Sequence, residues 1–430
     1  MEPSTSRAST GQRLLWILDR NRGADGALNC PTLCRVTGEL DVAALGSALT
    51  ALTARHESLR TTFTGRGPLL TQLINPPRPV EPVVVDLRAA ADPAAALRRA
   101  LAGELATRID PTRWPVRVTV WRTGDEAWLI CINAHHLVTD AWSCAVLFRE
   151  LWQLYEGGTP EPVVCQYRDF ADWQREREGG GMARHAAYWR AKLAGARPPV
   201  LPAAADGDGP PAGGSATVAA DIPEDVVRRL RALGRQERTT LFTVMLALFY
   251  ATLYRITGQA DLTVSSVFAN RVRPEHGQVV GFLANLVLLR TTVPGEDFAE
   301  LLRRTHGTVR DAFIHQELPY HLLPLDPQRG AGRPDDLVFQ MLAEPAERRR
   351  VPGAWVEAYV PDGVATRFRA EFALVPRQQG IQVLLFHAGL APDVAAALTT
   401  GYADIAAEVA ARVGGPGYGV EGQPTAARPS

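Results

Sequence analysis

No stretch of this 430-residue sequence is apolar over enough residues to predict a transmembrane helix. The best candidate, residues 240–254, is too short and contains threonine and tyrosine, so we expect a buried core helix there. The N-terminus, MEPSTSRASTGQR, also lacks the apolar segment that a signal peptide requires. These absences favour a cytoplasmic protein that has no membrane partner.

An excess of charge is absent as well. The 46 basic residues balance the 46 acidic ones, which gives no electrostatic reason to expect a nucleic acid as partner. Cysteine is scarce, with five residues and no CxxC pair, so we expect buried thiols in a reducing compartment and no metal site. The cysteines are Cys30, Cys34, Cys131, Cys144 and Cys165.

The remaining composition suits a globular protein of two or three domains, since 46% of the residues are hydrophobic. Helical and strand periodicities alternate on both sides of residues 196–215, a stretch rich in Pro, Gly, Ala and Asp that we interpret as a linker. The sequence thus predicts two α/β sandwich domains, residues 1–195 and 216–413, and a disordered tail at 414–430.

Polar residues are concentrated at the end of one apolar strand, in WLICINAHHLVTDAWSCAVLFRELWQLY, residues 128–155. The pattern predicts a strand at 128–134, the pair His135 and His136, a turn to Asp140, and then an amphipathic helix. Neighbouring side chains of a strand point to opposite faces. We therefore expect only one of the two histidines to enter a given cavity.

A neutral histidine accepts a proton at physiological pH, so this loop offers a general base. Asp140 either contacts the imidazole or pairs with an arginine, and we favour the arginine. The helix start at Ala141, Trp142 and Ser143 offers N–H groups to an oxyanion. A pair of core histidines with a purely structural role is the plain alternative. A zinc site lacks a third suitably spaced ligand, and Ser143 lacks the GxSxG turn of a nucleophile.

Seven segments, the third of which contains this loop, follow one another in a fixed order along the chain. They are STGQRLLWIL (9–18), RHESLRTTF (55–63), AHHLVTDAWS (134–143), YRDFADWQ (167–174), TGQADLTVSSVFANRVRP (257–274), VGFLANLVLLR (280–290) and HQELPYH (315–321), of which the HHxxxD element in the third is the most specific. The series extends from residue 9 to residue 321, and on these segments the chain resembles the condensation domains of nonribosomal peptide synthetases, which are relatives of chloramphenicol acetyltransferase.

The resemblance implies a V-shaped pair of acetyltransferase-like subdomains with the HHxxxD loop in a central tunnel. Two carrier proteins would dock at opposite mouths of the tunnel and present acyl groups on phosphopantetheine arms, so the domain itself would bind no cofactor. An amine would then attack the donor thioester and form an amide. The sequence contains no adenylation domain or carrier motif, so we expect a free-standing, monomeric condensation enzyme.

The resemblance also implies residue roles. His136 would lie at the reacting centre, His135 would support it, and Asp140 would be a structural residue in an ion pair with Arg290 or Arg60. Residues expected to contact substrate are Ala141, Trp142, Ser143, Gly281 and Asn285. Ala141 stands where the family usually has glycine, and its methyl group would narrow the space available to substrate.

Two alternatives stay open from the sequence. The enzyme would form an ester, or use a soluble acceptor, if the acceptor site admits such a molecule. A non-catalytic, condensation-like recruitment domain is the other alternative, although such domains typically lose the second histidine, and this chain has His136.

Overall fold

The computed structural model describes residues 2–21, 26, 28–178, 180–202, 216–295, 297–323, 336–342, 348–360 and 368–413. Most of the predicted linker, and the whole of the predicted disordered tail at 414–430, lie outside these ranges. The domain boundaries proposed from the sequence stay a prediction.

Within the described ranges the chain forms a mixed α/β structure of fifteen strands and eleven α-helices. The strands are β1 (Ser4–Arg7), β2 (Asn29–Gly38), β3 (Thr61–Thr64), β4 (Thr71–Ile74), β5 (Val83–Asp86), β6 (Val116–Gly124), β7 (Ala127–His135), β8 (Ala216–Pro223), β9 (Asp261–Phe268), β10 (Asn285–Thr292), β11 (Leu337–Met341), β12 (Arg349–Val351), β13 (Ala354–Ala358), β14 (Ala370–Arg377) and β15 (Gly380–His387). The helices are α1 (Thr10–Asn21), α2 (Val42–Arg55), α3 (Pro93–Ala106), α4 (Ala141–Tyr155), α5 (Tyr167–Glu178), α6 (Ala183–Lys192), α7 (Glu224–Gln236), α8 (Leu241–Thr257), α9 (Phe298–Ile314), α10 (Pro392–Ala396) and α11 (Tyr402–Arg412).

The strand of the histidine pair, β7, lies inside a six-stranded sheet with the order β12-β13-β2-β7-β6-β5. Alternation along β7 sends Ile130 and Ile132 into a core with α2 and α4, and sends Leu129 and Cys131 into a second core with α3. The same alternation continues to the end of the strand. It therefore places His135 on the α3 face, and the chain turns towards α4 just after it.

The second half of the chain builds a six-stranded sheet with the order β10-β9-β11-β14-β15-β8. Helix α8 is buried against it, as the apolar run at 240–254 predicted. Thr240 caps the start of α8, and Gly258 ends it with a left-handed φ of 67°, which glycine adopts without steric cost. No single helix in the described ranges is long and apolar enough to cross a membrane, and the pair α7–α8 that would suffice together is bent by 106°.

A hairpin from the second half completes the sheet of the first half. Strand β13 pairs antiparallel with β2, with Val356 opposite Val36, and β12 pairs with β13 at the sheet edge. Val356 is fully buried in the core of the first half. The sequence predicted neither strand β2 nor the addition of this hairpin to the sheet of the first half.

Two of the five cysteines are buried in these cores, Cys34 and Cys131, as expected. The other three, Cys30, Cys144 and Cys165, are only partly buried. The expectation of uniformly buried thiols was wrong for them, because Cys30 and Cys144 lie near the starts of β2 and α4 and Cys165 lies in the loop before α5, rather than between the layers.

Candidate active site

His136 follows directly after β7 and is held by the loop that it begins. Its Nδ1 lies 2.7 Å from the carbonyl oxygen of Thr139. A carbonyl only accepts hydrogen bonds, so Nδ1 carries the proton and Nε2 is the basic nitrogen of the neutral ring. The ring also meets the side chain of Phe282 edge-on, with centroids 5.2 Å apart. The loop therefore fixes both the tautomer and the orientation of a partly exposed imidazole.

His135 points the other way and is buried. Its Nδ1 accepts the N–H of Leu137 at 3.0 Å, so Nε2 is the protonated nitrogen and donates to Asp19 Oδ1 at 3.3 Å. Burial opposes ionisation of Asp19, but His135 and Arg108 outweigh it and lower the pKa of that carboxyl. The two histidines thus occupy opposite sides of the strand end, as the alternation predicted.

Asp140 is buried, and its carboxylate is bound in a bidentate pair by Arg271. Arg271 Nη1 donates to Oδ2 at 2.7 Å and Nη2 donates to Oδ1 at 2.9 Å. The backbone N–H groups of Leu283 and Ala284 donate to Oδ2 as well, at 3.0 and 3.1 Å. Burial opposes the charge of Asp140, yet the Arg271 guanidinium outweighs it and holds the carboxyl pKa below its usual range. Asp140 does pair with an arginine, and the pair joins the two halves of the chain.

The prediction that Arg290 or Arg60 pairs with Asp140 was wrong. Arg290 lies about 17 Å along β10 from Asn285, which directly follows the Ala284 that binds Asp140. Arg290 instead donates to Asp261 at 2.8 Å. Arg60 instead donates to the carbonyl of Asn75 and lies near Glu57. Arg271 follows the end of β9, the point where the second half meets the start of α4.

Ser143 completes the same junction. Its backbone N–H donates to Asp140 Oδ1 at 2.8 Å, which caps helix α4. Its hydroxyl accepts the N–H of Gly281 at 3.0 Å and lies 2.8 Å from Asp140 Oδ1. The backbone N–H of Ser143 is therefore committed to the helix cap and does not serve an oxyanion, contrary to the expectation from the sequence.

Gly281 lies at a point where no side chain fits. A Cβ added there would come within 1.9 Å of the ring of Tyr167, which is buried against this glycine. The Tyr167 hydroxyl donates to the carbonyl of Phe282 at 2.8 Å and contacts Ser9 Oγ at 2.7 Å. Glycine here lets Tyr167 hold the segment that carries Phe282 against His136.

Phe282 also lines a cavity of about 260 Å³. The cavity is bounded by α1, by the segment after Phe282, and by residues 319–321, and apolar side chains make up most of its wall. Of the five residues predicted to contact substrate, Asn285 lines this cavity and donates to the carbonyls of Gln316 and Leu318. The polar residues of the wall are Gln174, Asn270, Asn285, Tyr320, His321, Asp336 and Arg369.

The remaining predicted contact residues lie at the start of α4. Ala141 and Trp142 are exposed, and Trp142 Nε1 donates to the carbonyl of Gly277 at 2.8 Å. The Trp142 ring also lies 5.6 Å from the Arg271 guanidinium. Their contact with substrate stays a prediction, as do the catalytic roles of the histidines.

Sequence reasoning missed three residues that hold the loop, namely Arg271, Asp19 and Gln12. Gln12 Nε2 donates to the carbonyl of Leu137 at 2.9 Å, and its Oε1 accepts the N–H of Ser9. Gln12 belongs to the STGQ segment, and Arg271 belongs to the segment that ends in ANRVRP. Those motifs marked the positions, but their spacing did not reveal which atoms they contact.

The fold and the site define an α/β protein with an oriented histidine, a buried ion pair that joins its two halves, and a nearby, mostly apolar cavity. The family model of the condensation domain matches residues 5–342. The chain belongs to the condensation-domain family, whose members in nonribosomal peptide synthetases are acyltransferases that form amide or ester bonds.

Two relatives illustrate how the chain compares with whole synthetases. A linear gramicidin synthase protein from Brevibacillus parabrevis is 37% identical over 330 residues, which cover 73% of this chain and 4% of that protein. The chondramide synthase cmdD from Chondromyces crocatus is 36% identical over 341 residues, which cover 75% of this chain and 9% of that protein. The chain therefore spans less than a tenth of the length of either relative.

Solved structures agree on the fold. The condensation domain of the monacolin K polyketide synthase MokA superposes with a TM-score of 0.83 at 24% identity, covering 96% of this chain and 99% of that one. The SgcC5 protein from Streptomyces globisporus superposes with a TM-score of 0.79 at 25% identity, covering 95% and 100%. The predicted fold class, acetyltransferase-like and mixed α/β, is confirmed.

Proposed function

We propose that this protein joins an acyl or aminoacyl thioester, presented on the phosphopantetheine arm of a carrier protein, to an amine, and so forms an amide. The observation that carries the proposal is the orientation of His136. Its Nδ1 is bound to Thr139, its Nε2 is basic, and its ring contacts Phe282, which lines the cavity. Condensation domains of peptide synthetases work with carrier proteins, which supports the carrier as donor.

In the proposed reaction the amine nitrogen attacks the thioester carbon, and His136 Nε2 takes the proton that the nitrogen loses. The tetrahedral species collapses as the C–S bond breaks, and the departing thiolate takes that proton from the imidazolium. The products are the amide and the free thiol of the carrier. His135 and Asp140 touch neither reactant and act as positioning residues for the loop.

The lining of the cavity supports an apolar group on one of the two reactants. Leu14, Leu15 and Leu18 of α1 line the cavity together with Phe282 and Leu286. Burial of an apolar side chain there contributes roughly 25 cal/mol for each Å² removed from water. We expect kcat/KM to be higher for leucyl or phenylalanyl than for seryl or aspartyl side chains in at least one of two panels, namely aminoacyl N-acetylcysteamine donors with one free amine, and amino acid amide acceptors with one donor.

The variant His136→Ala tests the proposal. We expect product formation to fall by at least about 100-fold, because a positioned general base contributes about 100- to 10,000-fold. His306→Gln is the matched control, since His306 lies on α9 and contacts Thr239. Amide product is measured by mass spectrometry, and the unfolding midpoint of each variant shows that it is folded. Equal rates for His136→Ala and wild type would refute the role.

Ester formation is the second candidate function, and one observation favours it. The structure of SgcC5 is a complex with an aromatic diol, (R)-(-)-1-(2-naphthyl)-1,2-ethanediol, and that protein is 25% identical to this chain. The donor panel distinguishes the two candidates when it is repeated with an alcohol in place of the amine, because ester and amide products differ in mass. Binding without turnover of either acceptor would support a recruitment role.

A further inference from the structure

Cys30 and Cys144 bring two thiols together beside the catalytic loop. Their Sγ atoms lie 3.7 Å apart, although the residues are 114 positions apart in the chain. Cys30 is opposite Ala134 on the neighbouring strand, one residue before His135, and Cys144 lies in the first turn of α4. Both residues are only partly buried.

The fold explains this proximity. Alternation along β2 turns Cys30, Thr32 and Cys34 towards the face of the sheet that α4 covers. Cys144 begins the part of α4 that packs on that face, and its thiol lies 4.0 Å from the carbonyl oxygen of Pro31. The two thiols are therefore held close to each other by a strand and a helix that pack together.

We propose that Cys30 and Cys144 are a redox modification site, at which a reversible disulfide forms and slows the condensation reaction. Each thiol loses one hydrogen atom when the S–S bond forms. Hydrogen peroxide takes up the two electrons and two protons and becomes two water molecules, or a small disulfide is reduced to two thiols. Such reversible disulfides are the kind found in reducing compartments.

The chemistry of Cys144 favours it as the attacking thiol. The hydrogen bond with Cys30 lowers the pKa of the Cys144 thiol, and contacts with Thr32 and Thr139 add to the effect, while burial and the charge of Asp140 oppose it. The start of α4 also favours a thiolate. By contrast, burial raises the pKa of Cys34 to about 12, so that thiol is unreactive at neutral pH.

Disulfide formation would act on the loop through Thr139. The carbonyl of Thr139 binds His136 Nδ1, and its hydroxyl lies 4.0 Å from Cys144 Sγ. A disulfide requires an S–S distance of about 2.05 Å, so the sulfurs approach by about 1.7 Å from the present 3.7 Å. That approach draws the first turn of α4 towards β2 and moves the groups that orient His136. This part of the inference rests on the proposed function.

The test compares the 430-residue protein before and after treatment with hydrogen peroxide or oxidised glutathione. Digestion without reductant and mass spectrometry should show a linked peptide pair that contains residues 30 and 144 and that disappears with dithiothreitol. The rate of amide formation should fall about tenfold or more, since a displacement of one ångström can cost about 100-fold. The unfolding midpoint should rise, because the new bond closes a long loop.

Cys30→Ser and Cys144→Ser should give neither the linked peptide nor the loss of rate on oxidation. Cys165→Ser is the matched control, because Cys165 is partly exposed and its thiol lies near the carbonyl of its neighbour Gln166, and it should behave as wild type. Absence of the linked peptide in wild type overturns the site, and a linked protein with an unchanged rate overturns its control of the reaction. The linkage and the unfolding midpoint are read without turnover, so they stay interpretable if the proposed function fails.

Discussion

Asp140 illustrates how much of the site depends on single residues. Its carboxylate accepts six hydrogen bonds, two from Arg271, two from Ser143 and one each from Leu283 and Ala284. The side chain of Asp140 is only 1% exposed and that of Arg271 is 5% exposed. A charge buried to this degree lowers the free energy of unfolding when its partner is removed, so each residue is needed to compensate the charge of the other.

Asp140→Asn should lower the free energy of unfolding by about 3–5 kcal/mol, since it leaves Arg271 buried without a counter-charge. Arg271→Met should have a similar cost, and the double variant should cost less than the sum of the two. Urea unfolding of the four proteins measures this double-mutant cycle.

Arg255→Met is the matched control for that cycle, because Arg255 pairs with Glu408 at the surface. An exposed pair of this kind contributes about 1 kcal/mol or less. Strict additivity of Asp140→Asn and Arg271→Met would contradict the interpretation of the pair as one energetic unit.

At the scale of elements, α6 and the end of α9 meet through two histidines. His185 Nδ1 and His315 Nδ1 are 3.1 Å apart, and Arg184 Nε donates to His185 Nε2 at 3.3 Å. His185 Nδ1 must therefore carry the proton and donate to His315, which requires that both rings be neutral. Burial lowers the pKa of both histidines, with Arg184 lowering them further and Glu317 and Asp311 opposing the shift.

This contact predicts a loss of stability in mild acid. Below the ordinary histidine pKa of 6.5, these two histidines are protonated in the unfolded chain but stay neutral in the folded chain, because their pKa is lowered there. The free energy of unfolding therefore falls as the pH falls. The slope is at most about 1.4 kcal/mol per pH unit for each histidine. His185→Gln with His315→Gln should flatten the curve between pH 7 and pH 5.5, as measured by urea unfolding.

Measurements at pH 8 are the reference for that comparison, because both histidines are neutral there in the folded and unfolded chains. At pH 8 the wild type and the variant therefore differ in free energy of unfolding only through the packing and hydrogen bonding of the two side chains. An unchanged slope in the variant would show that the pair does not titrate as described.

The same scale shows what could be predicted from the sequence. Helix α8 was predicted because its signal is local, namely the apolar run at residues 240–254. Strand β2 was missed because Pro31 and two cysteines interrupt its pattern. Strands β12 and β13 are short, and β13 pairs with a strand, β2, that lies more than 300 residues earlier in the chain.

In the site, too, local features could be predicted from the sequence and long-range contacts could not. The opposite directions of His135 and His136 follow from strand alternation alone, so they could be predicted. The partner of Asp140 could not, because Arg271 is 131 residues away and only the assembled sheets decide which arginine reaches the loop. The ordered motifs marked the correct neighbourhood, whereas tertiary packing selected the residue.

At the scale of the whole molecule, the two halves depend on each other at both the site and the sheet. Arg271 and the Gly281 segment complete the loop of His136, and β13 completes the sheet that contains β7. A fragment of residues 1–202 would therefore lack strands β12 and β13 and the counter-charge of Asp140. We expect it to be insoluble, or soluble without activity, when it is expressed alone.

Co-expression of residues 1–202 with residues 216–430 should restore soluble protein and amide formation. Size-exclusion chromatography and the thioester assay measure the two outcomes. A co-expressed pair in which the second piece carries Arg271→Met is the control, and it should recover less. Full activity of the first fragment alone would show that the halves are independent.

The hairpin of β12 and β13 also has a consequence for biosynthesis. Strand β2 leaves the ribosome early, but its partner β13, Ala354–Ala358, is synthesised more than 300 residues later. Until then β2 is an exposed edge, which can pair with the edge of another nascent chain. The first half can thus collapse early but reaches its final sheet late, so the yield of folded protein should depend on translation speed and on chaperones that shield β2 in the interval.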